Sequence, residues 1–194
     1  MEDITQNKKR SAILETSRKL FWKHGFRRVT IDEICRESKT SKMTFYRFFP
    51  NKLEVARTVF DDVAEEGLRE FRKIMKGNTT PAEKMLAILK LKSDGVTDIS
   101  SEFLIDFYSN PELGLVTYIE EKSKILWHET LELFRDGQKE GWIRRDMNLD
   151  FMFYFMQKST PLLTDKNVLK LFNSPQELIL ELANMFVYGI SSSK

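Results

Sequence analysis

The chain has 194 residues, 41% hydrophobic and 31% charged, with a formal net charge of +2 and one cysteine. That balance is globular, and the length suits one compact unit or two small ones whose core needs neither metal nor disulfide. Cys35 has no internal partner, and the basic run Lys8-Lys9-Arg10 precedes no signal-peptide core. No apolar run nears the ~18 residues of a membrane span, so a cytoplasmic protein is expected, with secreted and membrane readings excluded.

The near-neutral total hides a split. Residues 1–52 carry 13 Lys+Arg and 6 Asp+Glu, a net +7, whereas the remainder is mildly acidic. A basic head on an acidic body points to a polyanionic partner for the head alone.

In chain order, breakers and caps cut the sequence into helices. The segment 7–24 carries Ile13, Leu20, Phe21 and His24 on one face and ends at Gly25, with Phe26 as apolar clasp. Thr30-Ile31-Asp32-Glu33 reads as a capping box opening a helix over 31–38, and a second short helix follows over 42–48. Asn51-Lys52-Leu53-Glu54 opens 52–76, and Thr80-Pro81-Ala82-Glu83 opens 81–94. Further helices are predicted over 101–109, 112–140, 148–160 and 175–191, the seventh opened by Asn110-Pro111 and the last by Ser174-Pro175-Gln176-Glu177. Gly77 and Gly141 close two of them, Gly67 and Gly137 sit where they would bend helices, and Pro161 ends or kinks the eighth. With no alternating run between hairpin turns, the expected fold is all-α, with about nine helices.

Within the head, Ile31, Ile34 and Cys35 share one face of the first short helix. In the second, Phe45 and Phe49 anchor inward, which turns Lys42, Met43, Thr44, Tyr46 and Arg47 towards solvent. Two short helices packed on a longer one describe a helix-turn-helix, whose second helix enters the DNA major groove.

The run Leu20-Phe21, His24-Gly25-Phe26, Thr30-Ile31-Asp32-Glu33-Ile34 and Ser41 through Phe49-Pro50-Asn51-Lys52 resembles the N-terminal domain of the TetR family of transcriptional regulators. Gly141-Trp142-Ile143-Arg144-Arg145-Asp146 is similar to the turn such proteins place before their eighth helix. Lys39 stands where the family often has Gly, and Met43 where a Gly is common on the DNA-facing side. The resemblance implies a helix-turn-helix DNA-binding domain over 1–52 and an effector-binding and dimerisation domain over 53–194. It assigns Thr30, Thr40, Ser41, Tyr46 and Lys52 to phosphates of double-stranded DNA, and Lys42, Met43, Thr44 and Arg47 to base edges.

The body is unusually apolar in two helices. In the last, Glu177, Glu181 and Asn184 form a single polar stripe, and in the eighth Phe151 through Met156 cover every direction. Such helices need a second partner, either a homodimer, as the family resemblance implies, or full burial within a monomer. Phe151, Phe155, Leu178, Leu182, Met185 and Phe186 are the expected interface. Met85, Leu89, Phe103, Phe107, Tyr118 and Trp127 are nominated to line a pocket for a small apolar or aromatic effector, or else to serve as ordinary core.

Other chemistry is weakly represented. Asp61, Asp62, Glu65 and Glu66 have no His beside them and read as a solvated face, as do His128 and Glu132. Glycine-rich phosphate loops and nucleophile elbows are absent, so no cofactor, metal or enzymatic activity is expected. The sequence thus points to a homodimeric, ligand-responsive repressor on a near-palindromic operator. A DNA-bound adaptor of the same fold that recruits a protein partner is the alternative.

Overall fold

The structure, a computed structural model, describes residues 2–190. Among the described residues there are ten α-helices, two 3-10 helices and no strand, so the fold is all-α as expected. The helices are α1 (Glu2–His24), α2 (Ile31–Glu37), α3 (Lys42–Phe48), α4 (Lys52–Lys76) and α5 (Pro81–Gly95). They continue with α6 (Ser101–Tyr108), α7 (Val116–Glu140), α8 (Leu149–Ser159), α9 (Lys166–Leu169) and α10 (Pro175–Ile190). The predicted end of the last helix, residue 191, lies outside the described residues.

Local chemistry explains most boundaries. Thr30 Oγ1 accepts from the Glu33 amide, Ser41 Oγ from Thr44, and Asn51 Oδ1 from Glu54, each capping a helix start. At Thr80 the exchange is reciprocal, with Glu83 Oε2 accepting from the Thr80 amide at 2.8 Å. Each such cap contributes about 1 kcal/mol by satisfying amides that have no partner inside the helix. Gly25 ends α1 at φ 76°, the left-handed conformation that costs glycine nothing.

Three expectations are revised. The seventh helix starts at Val116 rather than 112, because Gly114 adopts φ 69° after a 3-10 turn at Pro111–Leu113. A tenth helix was not foreseen: after a 3-10 turn at Thr160–Thr164, Asp165 Oδ1 accepts from Asn167 and Val168 and opens α9. The region from Pro161 is thus helical in short pieces. Ser174 caps α10, but Glu177 reaches back to the Asn173 amide instead of closing the box at Ser174.

The chain divides into two compact units, Met1–Val63 with Asp98–Ile119, and Ala64–Thr97 with Glu120–Lys194. In the first, α1 packs against α2, α3 and α6, and Phe21, Ile34, Phe45 and Phe107 are essentially inaccessible. Burying each such side chain contributes about 1.5–3 kcal/mol. In the second unit, α10 packs against α5, and Met85, Phe134, Trp142, Phe153 and Val187 belong to one core cluster. The turn from Gly141 to Asn148 is folded over α7: Trp142 and Ile143 are buried, and the Arg144 amide donates to the Ile190 carbonyl. Among the described residues no helix is long and apolar enough to cross a membrane.

Candidate nucleic-acid interface

Helices α2 and α3 are joined by Ser38-Lys39-Thr40-Ser41, and both pack on α1. The turn is held locally. The Thr40 amide donates to the Cys35 carbonyl, and the Ser38 and Thr40 hydroxyls lie 2.8 Å apart. Lys39 occupies φ 53°, the left-handed conformation. This is why a glycine suits that position, and Lys39 bears the strain of its Cβ. Cys35 is buried beneath the turn, and burial pushes its thiol up.

Helix α3 is anchored by Phe45 and Phe49, whose rings lie 6.0 Å apart against the core. Its outer surface carries Lys42, Met43, Tyr46 and Arg47, all exposed, Met43 by 73%. Lys42 is not unengaged: its ammonium donates to Asp32 at 2.6 Å, and that bond raises its pKa. The Tyr46 ring meets Phe45 edge-on, while among the described residues the Arg47 guanidinium has no partner. Ser41 and Thr30 are exposed with their hydroxyls at helix N-termini, and Thr40 is half-buried.

Thr44 differs from the expectation. It is buried, because it precedes the half-buried Phe48 by one turn and its hydroxyl lies 2.9 Å from Ser41 Oγ. Thr44 therefore fastens the first turn of α3 rather than projecting from it.

Lys52 also differs. Its Nζ donates to the carbonyls of Phe26 and Val29 at 2.7 Å each and lies near that of Arg27, with the ammonium 4.3 Å from the centre of the Phe26 ring. Burial lowers its pKa, and the charge of Asp106 partly offsets this. In this arrangement Lys52 gathers the carbonyls of the loop from α1 to α2 and directs its donors inward.

Asp106 was not singled out from the sequence. It is 3% exposed on α6, where it accepts from the Arg27 amide, Arg27 Nε and Asn110 Nδ2. The signal was available: a lone acid between Phe103 and Phe107 on the apolar face of SEFLIDFY requires a donor from elsewhere in the fold.

The nominated effector residues divide between the two units. Phe103 and Phe107 stack on each other at 4.3 Å and pack on Trp22, and Phe107 also reaches Phe21 and Phe26, so they form core of the first unit. Tyr118 donates its hydroxyl to Asp61 at 2.6 Å, with the Arg57 guanidinium over its ring. Met85, Leu89 and Trp127 instead belong to the core cluster of the second unit and its margin.

The nominated interface residues also separate. Phe151, Phe155 and Met185 are exposed by 65%, 50% and 61%, joined by Tyr154 and Tyr188, while Leu182 and Phe186 are half-buried. Leu178 is buried within the chain itself. Phe155 of α8 and Phe186 of α10 are in ring contact at 6.1 Å, so these two helices present neighbouring aromatic surface. Among the described residues no cluster of three metal-ligating side chains is present.

A three-helix head with an anchored yet outwardly polar third helix defines a helix-turn-helix DNA-binding protein. Residues 13–59 match the family model for bacterial regulatory proteins of the tetR family. The HTH-type transcriptional repressor KstR2 of Mycobacterium tuberculosis is 20% identical over 159 residues, covering 79% of this chain and 78% of that protein. The solved structure of the fatty acid degradation regulator FadR from Bacillus halodurans has a TM-score of 0.66 at 17% identity, covering 93% of this chain and 98% of the other. A transcriptional regulator from Saccharomonospora viridis in complex with choline matches with the same TM-score and identity, over 95% of this chain and 98% of its own. The tetR-family match thus falls on the helix-turn-helix head, running from Ile13 in α1 to Val59 in α4.

Proposed function

We propose that this regulator is a homodimeric repressor whose two α3 helices read a near-palindromic operator, and that a small molecule bound in the body releases it. Residues 1–52 form the DNA-binding domain in this reading, and 53–194 the effector-binding and dimerisation domain, acting in the cytoplasm. The observation that carries it is the outer face of α3. Lys42, Met43, Tyr46 and Arg47 are exposed on a helix that Phe45 and Phe49 fix in place.

Arg47 supplies donors for a guanine edge, Met43 an apolar surface for a thymine methyl, and Tyr46 a hydroxyl for phosphate. Lys42 exchanges Asp32 for DNA. Thr30, Thr40 and Ser41 approach phosphates at the helix N-termini, where the backbone dipole favours an anion. Thr44 and Lys52 support the geometry from behind. The exposed aromatic and Met side chains of α8 and α10 support a two-fold partner, because contiguous apolar surface of this kind marks an interface. Effector sensing is supported by the choline complex of the Saccharomonospora viridis regulator. A ligand favouring a conformer with misplaced heads draws the population off DNA.

The test is fluorescence anisotropy of a labelled operator over a salt series. The log–log slope is expected near −0.9 per neutralised phosphate, and Arg47→Ala should weaken specific binding by about 1–3 kcal/mol with the fold intact. Unchanged affinity in Arg47→Ala and Tyr46→Phe would remove α3 from the interface.

A further inference from the structure

Helix α2 places an acid beside the residues assigned to DNA. Asp32 lies in its first turn, just after the cap Thr30, where the partial positive charge of a helix start suits an anion. Its carboxylate is 2.6 Å from the ammonium of Lys42, the first residue of α3, so the pair bridges the starts of both short helices. Both side chains are open to solvent, Asp32 by 65% and Lys42 by 62%.

An ion pair this exposed contributes little to folding, because water and salt screen it. Its consequence lies at the surface that meets DNA. Arg47, which among the described residues has no counter-charge, reaches a phosphate or a base edge without giving anything up. Lys42 must first leave Asp32, and the released carboxylate then faces the nucleic acid.

The DNA backbone and the base edges answer that pair differently. Phosphate and deoxyribose oxygens only accept hydrogen bonds, so the backbone can take Lys42 but leaves Asp32 without a donor beside negative charge. A G·C pair presents guanine O6 and N7 as acceptors and the cytosine N4 amine as a donor on one major-groove edge. These are the partners that a Lys and an Asp side chain match, and one such edge satisfies both.

We infer that Asp32 is a specificity-determining residue: by holding Lys42 it discourages binding to the phosphate backbone, and it admits α3 where a half-site presents a G·C pair to the two side chains. This rests on the reading of α3 as the helix that meets the bases, and adds an acidic group from α2 to it. Lys42 takes the guanine acceptors and Asp32 the cytosine amine. Without the acid, Lys42 becomes one more backbone cation.

The probe is a labelled pool of random-sequence duplexes, titrated unselected over a salt series and then used for selection. Asp32→Asn, Asp32→Glu and Glu15→Gln are compared with the unaltered chain, with urea unfolding as the check on folding. Asp32→Asn is expected to bind the unselected pool about three- to tenfold tighter, the gain from one further phosphate contact near about 0.1 M salt, with a log–log slope steeper by about 0.9. Its selected motif should lose a G·C pair that the motif of the unaltered chain holds in each half-site. Asp32→Glu should follow the unaltered chain. So should Glu15→Gln, which removes the same charge from the exposed surface of α1. If Asp32→Asn fails to fold, Asp32→Ser carries the same expectation. Equal affinity for the unselected pool, equal tightening in Glu15→Gln, or an unchanged motif in Asp32→Asn would overturn the inference, while enrichment by the unaltered chain left the reading of α3 standing. An unaltered chain that enriches no sequence would overturn both.

Discussion

Asp106 on α6 holds Arg27 twice, accepting from its backbone amide at 2.9 Å and from its Nε at 2.8 Å, across 79 residues of sequence. Its carboxylate also fills the space beside Gly25, where a Cβ would stand 2.8 Å from Asp106 Oδ2. One buried acid thus sets the path of the chain between the first helix and the reading head.

Replacing Asp106 by Asn removes the charge and one of the acceptors facing Arg27. Arg27 is 60% exposed at its side chain, so water recovers part of the loss there. The expected cost is about 1–3 kcal/mol in urea unfolding, with weaker DNA binding beyond what instability explains. Gly25→Ala should be worse than Asp106→Asn, since it combines φ 76° with the clash. Unaltered stability in Asp106→Asn would contradict this account of the loop.

Lys39→Gly should stabilise the protein. The left-handed conformation at φ 53° costs a side-chain-bearing residue about 1–2 kcal/mol, and the extra freedom of glycine in the unfolded chain returns only part of that. A rise of about 0.5–1 kcal/mol is expected, or roughly 1–4 °C in Tm for a chain of this size. A fall in Tm would mean that the Lys39 side chain makes a compensating contact.

Gly137 and Gly67 both interrupt long helices, yet alanine should act oppositely at the two. At Gly137 a Cβ would stand 2.8 Å from Ile143 Cδ1 and 2.9 Å from the Trp142 ring, both buried. Overpacking costs about 1–3 kcal/mol against a helix-propensity gain of about 1, so the clash wins and Gly137→Ala destabilises. At Gly67 nothing lies within 4 Å, so Gly67→Ala should add up to about 1 kcal/mol. Denaturant midpoints for the pair check both signs.

These positions indicate what the sequence could reveal. Caps and breakers at Thr80, Thr30, Gly25 and Gly141 act within four residues, so their chemistry lies side by side in the chain and is legible there. The inward pair Phe45 and Phe49 followed from spacing alone. Thr44 was misplaced because a local hydroxyl contact drew it back from the exposed surface. Lys52 and Asp106 act at separations of 26 and 79 residues, which periodicity does not encode. The six pocket nominees rest on aromatic and apolar side-chain type, which does not distinguish a wall from a core. Phe103 and Phe107 consequently proved to pack on α1.

Acid should weaken the turn before α8 in a defined window. Arg144 donates to both carboxylate oxygens of Asp146, at 2.9 and 2.6 Å, and holds its pKa down from 3.8 to about 2. A depressed carboxylate pKa contributes stability above the unfolded value and loses it as pH falls through the folded one. The difference in urea midpoint between the unaltered chain and Asp146→Asn should therefore be constant near neutrality. It should shrink below pH ~4 and vanish only below pH ~2. A difference that persists in strong acid would show that Asp146 acts by shape and not by charge.

The most direct test of the central claim is selection of the purified chain against random-sequence DNA at two salt concentrations. The account requires enrichment of a near-palindrome with half-sites about one helical turn apart, surviving moderate salt and lost in Arg47→Ala. Binding that enriches no sequence and disappears as salt rises would reduce the basic head to a non-specific electrostatic surface and contradict the reading of α3.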